Sequence, residues 1–424
     1  LLDGPHSCFC TMPYRWFRGV SLHRQAVLMP FFREPEEKAA HKSKDGVVSF
    51  MKKKIACVIG TRPEAIKMAP VVSALRDREL DVTVLATGQH SQMLDQALAF
   101  FEIRADVNLS VMEERQPLDQ LTSRVLLGVG RFLDSSPQDL LLVHGDTTTT
   151  MAAAMAAFYR QIPVGHVEAG LRSGDLGRPF PEEANRIITD RLSTLWFAPT
   201  EGAAENLRRE RLPVSSKTLF VTGNTVIDAL FRTLRKNHAP SPDLAPLVSG
   251  SDPVILMTAH RRESWGSPLE SICLAIKDIL EADRRVRILI PLHKNPSVRD
   301  VIQRLLAGEK RIILCEPLKY PDFVWAMNRS ILILTDSGGV QEEAAGLKKP
   351  VLVMRDLSER PEALETGTAL LVGTDRERIT QTTLKILSDG VFREKLLSRG
   401  ENPFGDGTAS LRIADSVLGY YEGK

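Results

Sequence analysis

The sequence has few cysteines and no long apolar run. Three of its five cysteines, Cys57, Cys273 and Cys315, lie far apart in separate apolar runs, and Cys8 and Cys10 lie near the beginning. This spacing is typical of buried thiols in a reduced compartment and argues against a disulfide or zinc framework. No segment approaches the roughly 18 consecutive apolar residues of a membrane helix. We therefore expect a cytoplasmic protein without a membrane partner.

The main part of the chain also lacks an excess of either charge. Residues 1–50 carry 7 Lys and Arg against 5 Asp and Glu, which leaves 48 of each sign in residues 51–424. The formal charge of +2 therefore comes from the first 50 residues alone. Bulk charge gives no support to a role in binding nucleic acid or a membrane surface.

The first 50 residues differ in character from the rest. They hold two cysteines and scattered aromatic residues without a period, and Met51 directly precedes the first convincing strand. We interpret Met51 as the natural start, and residues 1–50 as over-extended translation or a disordered arm. A signal peptide is the alternative, because the apolar AVLMPFF follows three arginines. It is disfavoured because REPEEK, rather than a small-residue cleavage site, comes next.

Several common motifs are missing from the sequence. No GxGxxG follows the first strand, which disfavours a nicotinamide cofactor. Neither HExxH nor a carboxylate cluster with metal spacing occurs, and GxSxG and GxxxxGK[ST] are also absent. We expect no cofactor and no metal. A catalyst built from dispersed carboxylates remains open.

From residue 53 onward, short apolar runs alternate with longer stretches of helical spacing. Continuous apolar runs of this length predict strands that are buried on both faces, in parallel sheets. Twelve strands are too many for one sheet, so the predicted fold class is α/β with two Rossmann-like, doubly wound parallel-sheet domains. The Pro-, Ser- and Gly-rich residues 236–253 are the predicted hinge. The runs are 54–60, 81–88, 139–146, 162–170, 195–200, 219–224, 253–260, 286–293, 311–318, 331–339, 350–356 and 369–375.

Polar and charged residues collect where these strands end. In open parallel sheets, ligands bind beyond the carboxyl ends of the strands. Seven such decorated ends across two domains indicate one ligand held in the cleft between them. The seven are GTRPE, TGQH, HGDTTTT, HVEAG, TAHRRES, PLH and TDSGG.

Two of these ends have the features of an anion site. In GTRPEAIK, Arg62 and Lys67 lie near the start of a helix, although an ordinary strand-to-helix turn explains them equally well. In TDSGGVQEEAAG, the two glycines leave backbone N–H groups open to a phosphate, and Glu342 and Glu343 are placed to accept hydrogen bonds from sugar hydroxyls. The alternative is a helix cap made by Asp336 or Ser337.

A third group of residues supplies candidate acids and bases. Asp146 in HGDTTTT alone reads as a helix cap, but Glu168 and Glu182 in HVEAGLRSGDLGRPFPEEANR lie near the same rim. Carboxylates held close together have separated pKa values, which provides an acid and a base at neutral pH. We expect Arg172 and Arg186 to hold Glu168 and Glu182 in place or to lower their pKa values. His260 adds a cation or proton donor from the other domain, unless it is only a cap.

Taken together, these motifs resemble the non-hydrolysing UDP-N-acetylglucosamine 2-epimerases from about Lys53 to Tyr421. The resemblance implies a glycosyltransferase-B arrangement with the active site in the interdomain cleft. It also implies an N-terminal domain over 51–222, a C-terminal domain over 223–404, and a helix over 405–424 that packs back on the first domain. The motifs are GTRPEAIKMAP, HGDTTTT, HVEAGLRSGD, PFPEEANR, VTGNTVIDAL, TAHRRES, TDSGGVQEEA and RDLSERPEA.

The family interconverts UDP-GlcNAc and UDP-ManNAc without NAD or metal, by anti elimination of UDP to 2-acetamidoglucal and re-addition. By motif position, Asp146, Glu168 and Glu182 are the acid/base candidates, and which one serves which face of C2 stays open. His260 matches the residue that meets the leaving diphosphate. The implied substrate-binding positions are Arg62, Lys67, Arg186, Phe323, Ser337, Gly338, Gly339, Glu343 and Arg360. Leu318 departs from members with a polar residue near the uracil, so backbone groups are the expected contacts there.

The resemblance further implies regulation and assembly. Many bacterial members bind a second UDP-GlcNAc as an activator and form homodimers, and their product supplies surface polysaccharides. A hydrolysing epimerase that releases ManNAc and UDP, a glycosyltransferase of the same architecture and a non-enzymatic nucleotide-sugar sensor are the alternatives. The positions that match the activator site are Gln89, Gln92, Arg115, Arg261 and His293.

Overall fold

A computed structural model of the chain describes residues 52–88, 91–111, 113, 116–248, 250–356, 360–397 and 402–423. Residues 91–93 are described by their backbone only. In this part of the chain, no helix combines the length and the apolar character needed to cross a membrane.

Within the described residues, seven strands form the first sheet. All neighbouring strands pair in parallel, in the order β3-β2-β1-β4-β5-β6-β7. The strands β4, β5 and β6 are buried along their whole length, as continuous apolar runs predict. The bounds are β1 (Lys54–Ile59), β2 (Asp81–Ala86), β3 (Val107–Asn108), β4 (Leu140–His144), β5 (Val164–Val167), β6 (Leu195–Ala198) and β7 (Leu219–Val221).

Six strands of the described part of the chain form the second sheet, which is also parallel, in the order β10-β9-β8-β11-β12-β13. The two-sheet α/β fold class is therefore confirmed, and each of the twelve apolar runs contains a strand. Among the strands that the structure describes, only β3 was not predicted, because a two-residue edge strand has no apolar run. The bounds are β8 (Val254–Thr258), β9 (Arg287–Pro291), β10 (Ile312–Cys315), β11 (Leu332–Thr335), β12 (Val351–Val353) and β13 (Ala369–Leu371).

Helices connect the strands and cover the sheets. Their bounds are α1 (Arg62–Asp77), α2 (Ser91–Phe100), α3 (Leu118–Ser135), α4 (Thr148–Phe158), α5 (Glu182–Leu192), α6 (Glu201–Arg209), α7 (Thr225–Arg235), α8 (Ala245–Val248), α9 (Ser267–Ala282), α10 (Pro296–Leu306), α11 (Tyr320–Arg329), α12 (Gly338–Gly346), α13 (Pro361–Glu365), α14 (Arg376–Ser388), α15 (Gly390–Leu397) and α16 (Ala409–Glu422).

The last helix, α16, packs against α1 and α7. The buried carboxylate of Asp228 in α7 accepts hydrogen bonds from the backbone N–H groups of Ala409 and Ser410, at 3.1 and 2.8 Å, and so satisfies the open start of α16. Farther along, Arg78 donates to Asp415 at 2.6 Å. The division of the chain at residues 222 and 404 stays a prediction.

The segment 236–253, which was predicted as a hinge, has structure of its own. It contains a 3₁₀ turn over Pro242–Leu244, followed by α8. Leu244 and Leu247 are buried in the apolar core, and the carboxylate of Asp322 accepts a hydrogen bond from the N–H of Ser241 at 2.9 Å. Through this hydrogen bond, the segment is anchored to α11, a helix that connects two strands of the second sheet.

Candidate active site

The carboxyl ends of β1, β4 and β5 lie side by side, because β4 pairs with both other strands. Thr61 caps α1 directly after β1, and its capping partner Glu64 is buried. The Glu64 carboxylate accepts hydrogen bonds from the N–H of Thr61 at 2.8 Å and from the hydroxyl of Thr147 at 2.6 Å. Glu64 therefore ties the end of β1 to the end of β4.

Glu168 follows β5 and lies at the centre of a buried polar cluster. Its φ of +69° is in the left-handed region, which a residue other than glycine rarely adopts and which is found at functional sites. Lys67 Nζ donates to Glu168 Oε1 at 2.7 Å, and Asn224 Nδ2 donates to the same oxygen at 2.9 Å. Arg360 Nη2 lies 3.9 Å from this oxygen. Residues from both halves of the chain thus converge on one carboxylate.

The charge of Glu168 is stabilised by these cations. Burial by itself would raise its pKa, but the positive charges of Lys67 and Arg360 outweigh burial and hold the pKa far below the ordinary value for a glutamate. Burial also opposes the charge of Lys67, whose pKa is nevertheless raised by Glu168 and Glu342. Glu168 is therefore ionised at neutral pH.

His144, the last residue of β4, lies beside the other carboxylate oxygen of Glu168, and sequence reasoning missed it. Its Nε2 lies 3.1 Å from Glu168 Oε2, and its side chain is 4% exposed. Burial lowers the pKa of His144 to about 3, so the imidazole is neutral at physiological pH. Its position at the strand end in HGDTTTT was the available signal.

Asn224 links Glu168 to the second half of the chain and was also missed. It caps α7 by accepting from the N–H of Val226, and its Nδ2 donates to Glu342 Oε2 at 2.9 Å as well as to Glu168. Arg360 Nε donates to Glu342 Oε1. Glu342 was expected to accept from sugar hydroxyls, but its 1% exposed side chain is directed at Asn224 and Arg360 instead.

Asp146 lies beyond β4 and is joined to the start of α5. Arg186 Nη2 donates to Asp146 Oδ2, and Asn185 Nδ2 donates to Asp146 O at 2.9 Å. The cap of α4 is Thr147, so interpreting Asp146 as a helix cap is wrong. The Asp146 side chain remains 31% exposed and accessible to a ligand.

The two glutamates at the start of α5 have different surroundings. Glu183 is buried, and its carboxylate accepts from the N–H groups of Ser173 and Gly174 at 3.0 to 3.1 Å and from Arg186 at 3.1 Å. Glu182 is only partly buried, and its Oε2 has no hydrogen-bond partner among the described residues. Glu183 anchors the preceding loop, whereas the Glu182 carboxylate is available for a substrate.

The expectation that Arg172 and Arg186 hold Glu168 and Glu182 is wrong. Arg172 pairs with Asp190 at 2.8 Å and with Glu210 at 2.5 Å. As described above, Arg186 pairs with Asp146 and Glu183. The adjacency of these residues in sequence did not predict their partners, because the two arginines pair with carboxylates outside the pair Glu168 and Glu182.

A buried pair, His166 and Asp190, holds the ends of β4 and β5 together. His166 Nδ1 lies 2.6 Å from Asp190 Oδ1, and Nε2 lies 2.7 Å from Gly145 O. Asp190 Oδ2 also accepts from the N–H of Gly170 at 3.2 Å. Burial would raise the pKa of Asp190, but His166 and Arg172 outweigh it and lower the pKa. The pair therefore positions Asp146, which follows Gly145, and Glu168, which lies two residues before Gly170.

The start of α12 has the features expected of a phosphate site. Ser337 is the N-cap residue but makes no side-chain cap bond, so the interpretation of this motif as an ordinary cap is wrong. Asp336 instead accepts from the N–H groups of His260 and Arg261 at 2.8 and 2.9 Å, and its Oδ1 lies 2.9 Å from His260 Nδ1. Gly338 and Gly339 begin the helix with uncapped N–H groups, and His260 is held beside them.

A second carboxylate, Glu343, lies deeper on α12. It accepts from the hydroxyl of Tyr320 at 2.8 Å, and burial raises its pKa to about 7. Arg62 Nη2 donates to Leu318 O at 3.0 Å, which joins α1 to the loop before α11. Phe323 is partly buried on α11 and packs against the core.

Two positions of the predicted activator site are described, Arg261 and His293. The rings of His260 and His293 lie 5.9 Å apart, and Arg261 is adjacent to His260 in sequence. Gln89 and Arg115 lie outside the described residues, as does the side chain of Gln92. Within the described ranges, no group of three or more His, Cys, Asp or Glu side chains is arranged to hold a metal ion.

The two parallel sheets and the charged site to which both contribute define an α/β enzyme of the glycosyltransferase-B arrangement. The family model of UDP-N-acetylglucosamine 2-epimerase matches residues 73–418. The UDP-N-acetylglucosamine 2-epimerase of Salmonella typhimurium is 48% identical over 374 residues, which cover 87% of this chain and 99% of that protein. The chain therefore belongs to the UDP-N-acetylglucosamine 2-epimerase family.

Solved structures agree with this assignment. The UDP-GlcNAc 2-epimerase from Neisseria meningitidis bound to UDP-GlcNAc has a TM-score of 0.80 at 45% identity, covering 86% of this chain and 99% of that one. The S. aureus MnaA–UDP co-structure has a TM-score of 0.79 at 44% identity, covering 88% and 97%. The suspected family and fold are both confirmed.

Proposed function

We propose that the protein interconverts UDP-GlcNAc and UDP-ManNAc by the non-hydrolysing route. The observation that carries this proposal is the Glu168 carboxylate, which is buried at the end of β5 and lies beside Asn224 and Arg360 from the second half of the chain. The ligands of the two solved structures, UDP-GlcNAc and UDP, support this nucleotide sugar as the substrate.

The proposed reaction begins by removing the proton at C2 as the C1–O bond breaks. UDP leaves with the bonding electrons, and a double bond forms between C1 and C2 of the 2-acetamidoglucal. UDP then adds back at C1 while a proton is delivered to the opposite face of C2. The C2 proton is weakly acidic, so two acid/base groups must be positioned on opposite faces.

Three carboxylates are suited to these proton transfers. Glu168 is ionised and is held in position by Lys67, which suits a carboxylate that accepts a proton from a substrate. Asp146 and Glu182 are more exposed, and Glu182 lacks an ion-pair partner among the described side chains. We assign the two proton transfers to members of this set, and the face that each serves is left open.

The leaving diphosphate requires stabilisation as its negative charge develops. Asp336 holds His260 near the start of α12. The backbone N–H groups around Ser337, Gly338 and Gly339 are available at that helix start. Donors held in place before the reaction stabilise developing charge without reorganisation. Arg360 and Lys67 add positive charge nearby.

Incubation with UDP-GlcNAc in deuterated water, followed by NMR, tests the proposal. The expected products are UDP-ManNAc and UDP-GlcNAc that carry deuterium at C2, with little free sugar. Free ManNAc and equimolar UDP would indicate the hydrolysing reaction instead. Acceptor-dependent release of UDP would indicate a glycosyltransferase, and no conversion would indicate a sensor.

We further propose that UDP-GlcNAc activates the enzyme at a second site that includes Arg261 and His293. Both residues adjoin His260, so a ligand there can reach the diphosphate-binding side of the active site. UDP-ManNAc alone should then react slowly until a trace of UDP-GlcNAc is added. Full turnover from the first mixing would contradict activation.

The proposed setting is the cytoplasm, where the product supplies ManNAc for surface polysaccharide. Cys57, Cys273 and Cys315 are free and buried, which suits a reduced compartment.

A further inference from the structure

Four charged side chains, Lys67, Glu168, Glu342 and Arg360, form a buried quartet between the two sheets. Their side chains are 14, 8, 1 and 11% exposed, respectively. Two positive and two negative charges balance, which is the usual condition for burying ionised groups. Any further anion that enters this region must therefore compete with a carboxylate for a cation.

Glu342 is the member of the quartet that the proposed chemistry does not use. Its two oxygens accept hydrogen bonds from Arg360 Nε and from Asn224 Nδ2. Burial raises its pKa above the ordinary glutamate value, although Arg360 and Lys67 act in the opposite direction. Arg360 and Lys67 are therefore the groups that favour the ionised form of Glu342, and the carboxylate loses this stabilisation if either cation is drawn away.

Arg360 lies beside the proposed phosphate site. A Cβ atom at Gly338 would be 3.9 Å from Arg360 Cζ, so the guanidinium lies against the first residue of the nine-residue helix α12. The uncapped N–H groups of this helix start attract an anion. The same guanidinium is thus within reach of a diphosphate at α12, of Glu342 and of Glu168.

We propose that Glu342 competes with the diphosphate of the substrate for Arg360, so that nucleotide binding transfers the guanidinium from carboxylate to phosphate. This inference rests on the proposed function, because it requires a diphosphate at the start of α12. Glu342 is a positioning residue in this scheme and does not touch the reacting atoms.

The transfer has a consequence for Glu168. In the quartet, Lys67 and Arg360 together stabilise the charge on Glu168. When Arg360 turns to the diphosphate, Lys67 is left to balance two carboxylates. The proton affinity of Glu168 then increases, which makes it a stronger base. Binding of the UDP part is thereby coupled to the proton transfer at the sugar.

The test is the affinity of UDP for the variant Glu342→Gln, measured by isothermal titration calorimetry. The amide keeps the shape of the side chain but removes one negative charge, so the quartet acquires a net positive charge. UDP should bind more tightly, on the order of tenfold, and with a steeper decrease in affinity as salt is added. A substrate-binding or purely structural role for Glu342 predicts weaker or unchanged binding.

The substitution Asp228→Asn is the matched control. Asp228 is a buried carboxylate like Glu342 but accepts from Ala409 and Ser410 and not from Arg360, so this variant should not bind UDP more tightly. Glu342→Asp is a second variant that keeps the charge but shortens its reach to Arg360, and it should show an intermediate gain in affinity.

The outcomes separate this inference from the proposed function. If Glu342→Gln and Glu342→Asp both bind UDP no more tightly than the wild type, the competition is overturned while the nucleotide site stands. If the wild-type protein does not bind UDP at all, the proposed function itself is overturned. Tighter binding by Asp228→Asn as well would also overturn the inference, because the gain would not depend on Arg360.

Discussion

The two adjacent glutamates at the start of α5 differ in their hydrogen-bond partners. Glu183 is surrounded by donors from the loop at Ser173 and Gly174 and by Arg186. Glu182 keeps a carboxylate oxygen without a partner among the described residues. A buried polar atom without a partner is costly, and such atoms are tolerated mainly where function requires them.

The substitution Glu182→Gln should therefore lower turnover by about 10²- to 10⁴-fold, the usual range for a lost acid/base group. It should leave the melting temperature nearly unchanged, because no intramolecular bond is lost. Turnover and the exchange of the C2 proton with deuterated water are measured together. Unchanged values of both would show that Glu182 takes no part in proton transfer.

The matched control is Glu183→Gln. Its amide group would face the N–H donors of Ser173 and Gly174, so this variant should melt at a lower temperature. If the two variants lose stability equally, the structural distinction between the two glutamates is wrong.

The buried His144 gives the protein a definite response to acid. Its pKa is about 3 in the folded chain, against 6.5 for the free side chain. Below pH 6.5, His144 is protonated in the unfolded chain but stays neutral in the folded chain, so the free energy of unfolding decreases as the pH decreases toward 3. One such group contributes a slope of about 1.4 kcal/mol per pH unit.

The variant His144→Asn should accordingly lose stability less steeply on acidification. Urea unfolding between pH 6.5 and 4.5 measures the slope for both proteins. Because all other groups are shared, the difference between the slopes isolates this histidine. Equal slopes would show that His144 takes up its proton equally in the folded and unfolded chains.

At the scale of elements, the ends of β4 and β5 owe their mutual position to buried polar bonds. His166 Nδ1 lies 2.6 Å from Asp190 Oδ1, and its Nε2 lies 2.7 Å from the carbonyl oxygen of Gly145. Gly170 follows Glu168 closely and has a φ of +84°, and a Cβ there would lie 2.2 Å from Ala203 O. Only glycine fits at that position. The backbone at Glu168 is thus fixed by the contacts of His166 before it and by the turn at Gly170 after it.

We expect His166→Phe to lower kcat on the order of 100-fold with little change in KM, because misplacing a catalytic group by about 1 Å has this effect. His166→Gln retains a side-chain donor and should recover part of the loss. Steady-state kinetics distinguish the two variants, and thermal melting of both shows whether folding is intact. A folded His166→Phe protein with full turnover would contradict the positioning role.

At the scale of the whole molecule, apolar side chains remain exposed in the middle of α3 and at the end of α4. Leu127, Phe158 and Tyr159 are 58, 42 and 64% exposed. The bond from Arg160 Nε to Asp134 Oδ1, at 2.7 Å, brings the ends of the two helices together. An apolar surface of this kind is typical of a site of association. We expect it to form the interface of a homodimer.

Light scattering should then give a mass of twice the 47.1 kDa of one chain, and Tyr159→Glu should reduce it to that of a monomer. Val391→Glu is the control, because Val391 is 78% exposed on the distant helix α15 and should not affect association. A monomeric wild-type protein, or a Tyr159→Glu variant that stays dimeric, would contradict this interface.

Much of the fold follows from local patterns that a single sequence displays. Continuous apolar runs such as LLLVH in β4 predict buried strands, because every side chain of a central parallel strand meets a helix-covered face. The strand ends then predict which polar residues share a rim, and Asp146, Glu168 and His260 were identified in this way. The edge strand β3 was missed because its two residues carry no pattern of their own.

The sequence by itself determined the two-sheet fold, the family and the candidate carboxylates. Tertiary structure alone decided the partners: Lys67 and Asn224 with Glu168, Arg360 with Glu342, and Arg172 with Asp190. Strand and helix periods arise from neighbouring residues, so they can be read along the chain. Most of these ion pairs join residues far apart in sequence, and the choice among many available arginines and glutamates is made by packing, which places only a few partners within bonding distance.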